Sequence, residues 1–85
     1  MTRNEFMEQM KEDHKGRAQM TYNFATKKEM TTPGFVQKMR DLHKSVADSR
    51  YRKYKEERDF CDWAYSQLEY ERVRLLDGWL DSHTT

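Results

Sequence analysis

Apolar side chains recur in the second half of the chain at alternating spacings of four and three residues. The series begins at Ala47 and runs for more than four heptads. Such a repeat places its members on one side of a helix and is typical of a coiled-coil-like contact. We call these positions the seam; after Ala47 they are Tyr51, Tyr54, Arg58, Cys61, Tyr65, Leu68, Arg72, Leu75 and Trp79. The seam predicts a long amphipathic helix over about 49–77.

A second group of aromatic residues, Phe60, Trp63 and Tyr70, falls on a different side of the same predicted helix. A helix with two apolar faces has to contact more than one neighbour. We therefore expect this second face to bury against the amino-terminal segment, another subunit or a partner. The order Asp77-Gly78-Trp79 resembles a C-cap, which predicts the end of the helix near residue 77.

The middle of the chain has a clear helix start at Thr32-Pro33. Thr32 suits an N-cap, and Pro33 at the first helical position loses no hydrogen bond. Apolar residues then recur at spacings of four, three and four, which predicts a helix over about 35–47. These residues are Phe35, Met39, Leu42 and Val46. This helix is either continuous with the long helix or separated from it by a cap at Asp48-Ser49.

The first thirty residues predict a helical arm over about 3–28, followed by a turn at 29–34. Thr2 and Glu5 form a capping-box pattern at its start. Gly16 predicts an interruption, at a cost of roughly 1 kcal/mol relative to Ala. Amphipathicity is weak after Arg17. Because turns and β-branched residues are scarce, the fold class expected is all-α. We expect one small domain over 1–85, with an arm at 1–30 and a helical hairpin or one long helix at 33–81.

The amino-acid composition predicts a hydrophobic core that gives only marginal stability. The chain has 85 residues, of which 36% are charged, and it contains no isoleucine. A chain this short buries only about 60% of the surface that it exposes when unfolded. We therefore expect the protein to gain stability from a partner or from copies of itself. A multidomain enzyme is excluded by length alone.

The net charge of +1 hides an uneven distribution. Residues 1–55 carry 13 Lys and Arg against 7 Asp and Glu, whereas residues 56–85 carry 3 against 8. Such asymmetry indicates either a nucleic-acid surface or complementary self-association. If the long helix paired with an antiparallel copy of itself, its basic start would meet its acidic end.

The basic region 14–55 contains the strongest candidate for nucleic-acid contact. Tyr51 and Tyr54 alternate there with basic side chains, a combination that stacks bases and neutralises phosphates. The candidate contacts are Arg50, Arg52, Lys53 and Lys55, together with Lys27 and Lys28. The alternative interpretation is that the tyrosines pack in the seam and the charges are solvated.

The sequence predicts no catalytic, cofactor-binding or metal-binding residues and no small-molecule substrate. Its three glycines are far apart, so no phosphate-binding loop is present. Three scattered histidines and one cysteine do not form a zinc motif. Cys61 is interpreted as a small buried member of the seam rather than a nucleophile.

No signal peptide or membrane span is predicted, and a single cysteine fits a reducing compartment, so we expect a cytoplasmic protein without membrane contact. The function expected is a non-enzymatic helical protein–protein interaction module. This means a small accessory, adaptor or inhibitor protein of the kind that many bacteriophages encode, working as a homo-oligomer or on a larger partner. The alternative is a nucleic-acid-binding accessory protein that uses the basic region.

Overall fold

The computed structural model describes residues 2–28 and 31–83, and within these ranges the chain forms three α-helices and no strand. They are α1 (Arg3–Ala25), α2 (Pro33–Glu57) and α3 (Phe60–His83). The all-α fold class is confirmed. The predicted turn at 29–34 lies partly on residues 29 and 30, which fall outside the described residues.

The helices run up, down and up. The Phe6 ring lies 6.1 Å from that of Phe60, so α1 and α3 begin at the same end of the molecule. At the other end, Ala25 of α1 and Val36 of α2 pack with Leu76 and Leu80 of α3. The most extensive interface joins α2 to α3, whereas α1 packs mainly on α3 and touches α2 only slightly.

Helix α1 is uninterrupted. Thr2 caps its start, because the Thr2 hydroxyl accepts a hydrogen bond from the Glu5 amide at 3.1 Å. The predicted interruption at Gly16 is wrong, and the helix ends at Ala25 rather than near residue 28. Ala18 and Ala25 are fully buried. This packing offsets the modest intrinsic cost of one glycine in a helix.

Helix α2 begins as predicted. Thr32 is the N-cap, its hydroxyl accepting from the Phe35 amide at 3.1 Å, and Pro33 stands in the first turn. The helix passes through Asp48 and Ser49 without a break, which decides between the two alternatives. However, the fully buried residues of α2 are Val36 and Ala47, not members of the predicted apolar stripe.

The predicted single helix over 49–77 is wrong, because the chain turns back at Arg58-Asp59. Arg58 adopts a left-handed conformation (φ 58°, ψ 30°), and its amide donates to the Tyr54 carbonyl at 2.7 Å. The Asp59 carboxylate accepts from the Cys61 amide at 2.8 Å and opens α3. Helices α2 and α3 therefore form a hairpin, which is one of the two predicted alternatives. A left-handed backbone conformation is unfavourable for arginine by itself, but this turn lets α2 pack against α3.

The predicted C-cap at Gly78 is also wrong, because α3 continues to His83. Gly78 has no positive φ. The last turn is held instead by Ser82, whose hydroxyl donates to the Gly78 carbonyl at 3.1 Å, and by the Trp79–His83 ring stack at 4.0 Å.

The buried apolar core is small, and α3 contributes half of its members. Its members are Ala18, Ala25, Val36, Ala47, Leu68, Val73, Leu76 and Leu80. Five of these eight are alanine or valine, and they come from all three helices, so the helices approach closely but bury little apolar area per residue. A core of this size makes the polar contacts between α2 and α3 important to the fold.

Candidate functional site

An open cleft separates α1 from α2 above α3. Its volume is about 420 Å³, and its lining residues are Arg17, Met20, Thr21, Phe24, Met39, His43 and Arg72. The cleft exists because α1 and α2 both pack on α3 and scarcely on each other. The α1 and α2 sides contribute apolar side chains, and Arg72 of α3 lies at the base.

Large apolar side chains around the cleft are exposed to solvent. The exposed fractions are 72% for Met20, 57% for Leu42 and 46% for Phe24. Leu42 lies one turn after Met39, on the same side of α2. Exposed apolar side chains clustered in this way on a small protein mark an interaction surface more often than single scattered ones do.

The base of the cleft is anchored by a buried carboxylate. Glu69 is only 1% exposed and accepts hydrogen bonds from Nδ1 of His43 and from Nη1 of Arg72. Burial alone raises the pKa of Glu69, but the hydrogen bonds and charges of His43 and Arg72 outweigh it, so its pKa lies below the ordinary value. Both carboxylate oxygens are therefore engaged, and the group joins α2 to α3.

Further polar contacts cross the same helix pair. Arg40 Nε donates to Asp77 at 2.9 Å, and Arg50 Nη1 donates to the buried Asp62 at 3.2 Å. The basic α2 thus packs antiparallel on the acidic α3. These basic and acidic parts of the sequence therefore pair within one chain, and these pairs do not require a second copy.

Tyr70 and Asp48 form another link between α2 and α3. The Tyr70 hydroxyl donates to the Asp48 carboxylate at 2.7 Å, and Lys44 donates to the same oxygen at 3.1 Å. Burial, reinforced by the hydrogen bond to Asp48, raises the pKa of Tyr70 to about 12. The contact places Tyr70 against α2, with its ring 6.4 Å from that of Tyr51.

The predicted seam is divided between two helices. Tyr51 and Tyr54 lie on α2 and Arg58 lies in the turn, so these three do not continue the face that begins at Cys61. Cys61 is exposed, which corrects its interpretation as a buried residue, and Tyr65 is 43% exposed. Farther along α3, Leu68 is buried, whereas Arg72, Leu75 and Trp79 are half-buried.

The second face does not act as one surface either. Phe60 is 45% exposed and stacks on Trp63 at 5.2 Å, and the Phe6 ring of the amino-terminal helix lies beside it. Trp63 is half-buried. Tyr70 belongs instead to the contacts with α2.

The predicted nucleic-acid contacts are separated in space. Arg50, Arg52, Lys53 and Lys55 occupy the last turns of α2, whereas Lys27 and Lys28 precede its start. Twenty helical residues span about 30 Å. The aromatic rings near this segment already have cations from the same chain: Lys55 lies over Tyr51, Arg58 over Tyr54, and Arg50 over Tyr65.

Sequence reasoning missed the central members of the site, His43, Glu69 and Met20. Glu69 and His43 are 26 positions apart, so no local spacing connects them. The weak amphipathicity of the second half of α1 was itself a signal, since it reflects apolar side chains on a side that α3 does not cover.

Among residues 2–28 and 31–83, no group of three or more His, Cys, Asp or Glu side chains could hold a metal ion. Within the same ranges, the helices lack an apolar stretch long enough to cross a membrane. No protein-family model, curated protein or solved structure matches this chain significantly.

Proposed function

We propose that this protein is a non-enzymatic helical interaction module, a small accessory, adaptor or inhibitor protein that binds another protein chain at the cleft between α1 and α2. The observation that carries the proposal is the exposure of Met20 and Phe24 in that cleft and of Leu42, one turn after the lining residue Met39. Leaving such side chains in water costs free energy that a partner recovers when it covers them.

The shape of the cleft favours a helix as the bound element. Two helices that rest on a third and stay apart leave a groove of the kind that accepts an amphipathic helix. Arg17 and Arg72 line this groove. Glu69 already neutralises one positive charge there, and Arg17 is exposed. A partner helix with apolar residues and a carboxylate would complement both the walls and the charge.

The His43–Glu69–Arg72 group supports this proposal by stabilising the groove. It links α2 to α3 beneath the groove, and the partner then meets a preformed surface. The lone Cys61 supports a reducing, cytoplasmic location, which stays a prediction.

Site-specific photo-crosslinking in the host cell tests the proposal. A benzophenone amino acid replaces Met20, Leu42 or, as the matched control, Gln19. Gln19 is also exposed but points to another side of α1 from its neighbour Met20. We expect protein adducts from positions 20 and 42 and few from position 19. Equal adducts at all three positions, or none at any, would contradict the proposal.

Nucleic-acid binding is a second proposal with narrower support. A separate surface pocket lies in the second half of α2 and is lined by Arg50 and Lys53 together with Ser45, Val46 and Ser49. The intramolecular cations over Tyr51, Tyr54 and Tyr65 compete with base stacking. A phosphate-dependent complex weakens steeply between about 50 mM and about 200 mM salt. Unchanged affinity over that range would reject this proposal.

A further inference from the structure

The side of α1 that adjoins the cleft carries a regular series of its own. Its spacings are four, three, four, three and four, and its members are Phe6, Met10, Asp13, Arg17, Met20 and Phe24. We call this series the α1 stripe. Met10 is half-buried and the other five members are exposed. The helix contributes Ala18 and Ala25 to the core from a different side, so the stripe remains open.

The α1 stripe is nearly the same when it is read in either direction. Phe6 mirrors Phe24, Met10 mirrors Met20, and Asp13 mirrors Arg17, all about residue 15. When two such helices lie antiparallel around a two-fold axis, each residue meets its mirror position on the other copy. Phe6 then packs against Phe24 at each end of the contact, and Met10 packs against Met20 in the next layer. Two Asp13–Arg17 pairs form the centre.

We propose, on the basis of the proposed function, that the protein chain bound by this module is a second copy of itself, and that two copies associate through antiparallel α1 stripes. The alternating spacing is the one that antiparallel coiled-coil layers require. The contact is about 27 Å long, the rise of 18 helical residues.

Charge decides the orientation of this pair. In the antiparallel arrangement each Asp13 lies opposite an Arg17. In a parallel arrangement Asp13 would oppose Asp13 and Arg17 would oppose Arg17 at close range, which is unfavourable. Apart from Asp13 and Arg17, the first half of α1 carries three glutamates against two cations, and the second half carries one cation; these residues are Glu5, Glu8 and Glu12 with Arg3 and Lys11, and then Lys15. They favour the same orientation.

The arrangement also accounts for the cleft. Arg17, Met20 and Phe24 belong both to the α1 stripe and to the cleft lining. A second α1 seated on the stripe lies beside the exposed Leu42 and the half-buried Met39 of α2, and covers apolar surface that the single chain leaves in water. Asp13 of the other copy supplies the carboxylate that we expect in the groove.

Charge-reversal variants test the pairing. In the Arg17→Asp variant, both central positions of the α1 stripe are acidic. In the Asp13→Arg variant, both are basic. Sedimentation equilibrium should show that wild type dimerises, that each variant alone loses at least about tenfold in affinity, and that an equimolar mixture regains a dimer. Gln19→Asp, a charge change off the stripe, should dimerise like wild type. Circular dichroism checks that every variant stays helical.

Cysteine crosslinking tests the orientation. In a Cys61→Ser background, mild oxidation of a mixture of M10C and M20C should give the mixed disulfide, because only the antiparallel pair brings these positions together. Predominant M10C–M10C and M20C–M20C disulfides would overturn the antiparallel register. A monomeric wild type at about 100 μM, or a variant mixture that stays monomeric, would overturn self-association. Adducts between position 20 and a different protein would then still support the proposed function, whereas their absence would reject both.

Discussion

The two interfaces that α3 makes are built from different chemistry. Against α2 it uses charges and hydrogen bonds: Asp62, Glu69 and Asp77 each bond a basic side chain of that helix. Against α1 it packs on small apolar residues of that helix, including the fully buried Ala18 and Ala25. The polar interface specifies the hairpin, whereas the close packing on α1 leaves Phe6, Met20 and Phe24 exposed. A chain with few core residues can therefore still expose large apolar side chains.

The largest effect on stability is expected from the apolar core that all three helices share. Leu76 is fully buried, so Leu76→Ala should lower the free energy of unfolding by about 4 kcal/mol. Leu42→Ala is the matched control, because Leu42 is 57% exposed, and its change should stay within about 0.5 kcal/mol. Urea titration followed by circular dichroism measures both. Equal losses would show that Leu42 belongs to the core.

The next effect concerns the polar interface. Glu69→Ala leaves His43 and Arg72 without their shared carboxylate, and the expected loss is about 3 kcal/mol. Glu71→Ala removes a carboxylate whose partner, Arg74, is exposed within the same helix, and should cost less than about 1 kcal/mol. If the two variants unfold at the same urea concentration, the buried network contributes no more than a surface pair.

Acid should weaken the polar interface between α2 and α3, because it protonates Glu69. The pKa of Glu69 is lowered in the folded protein, so its contribution is fully present above the ordinary glutamate value of 4.5 and is lost as the pH falls through the folded value. Asp48 and Glu71 act in the same direction. We expect thermal unfolding temperatures to fall below about pH 4.5, and less steeply in Glu69→Gln. An identical acid slope in that variant would contradict this assignment.

Alkali should act through Tyr70. Its pKa is raised to about 12 from an ordinary value of 10, so the stabilisation is complete below pH 10 and is lost as the pH rises toward 12. Tyr70→Phe removes the hydrogen bond to Asp48 and should cost about 1 kcal/mol at neutral pH. Tyr65→Phe, on an exposed tyrosine, should change the free energy of unfolding at neutral pH by less than about 0.5 kcal/mol. A tyrosine absorbance titration at each pH checks the ionisation itself.

The smallest effect on folding is expected from the surface that we assign to binding. Met20→Gln changes a side chain that is 72% exposed, so the free energy of unfolding at low protein concentration should shift by less than about 0.5 kcal/mol. The same change should weaken dimerisation, because Met20 faces Met10 of the second copy in the pair that we propose. A variant with wild-type association would remove the α1 stripe from the interface.

The sequence by itself determined the helical class and the places where local chemistry decides a boundary. Thr2 and Thr32 cap α1 and α2 as predicted, and Pro33 opens α2, because caps and proline act on amides within one turn. The same local reasoning failed at Gly16 and Gly78, where packing on neighbouring helices continues the helix through glycine.

Only the tertiary structure decided the turn at Arg58 and the site that follows from it. The heptad-like spacing runs through residue 58 without a glycine or proline, so a local pattern predicts one helix where the chain forms two. What selects the hairpin is a set of contacts between distant positions, such as Arg50 with Asp62 and His43 with Glu69. Periodicity shows that a face is apolar, but which face is buried depends on where the other helices lie. Leu42 and Met20 are therefore exposed although their spacing is that of a core, and the cleft exists because α1 and α2 share α3 instead of each other.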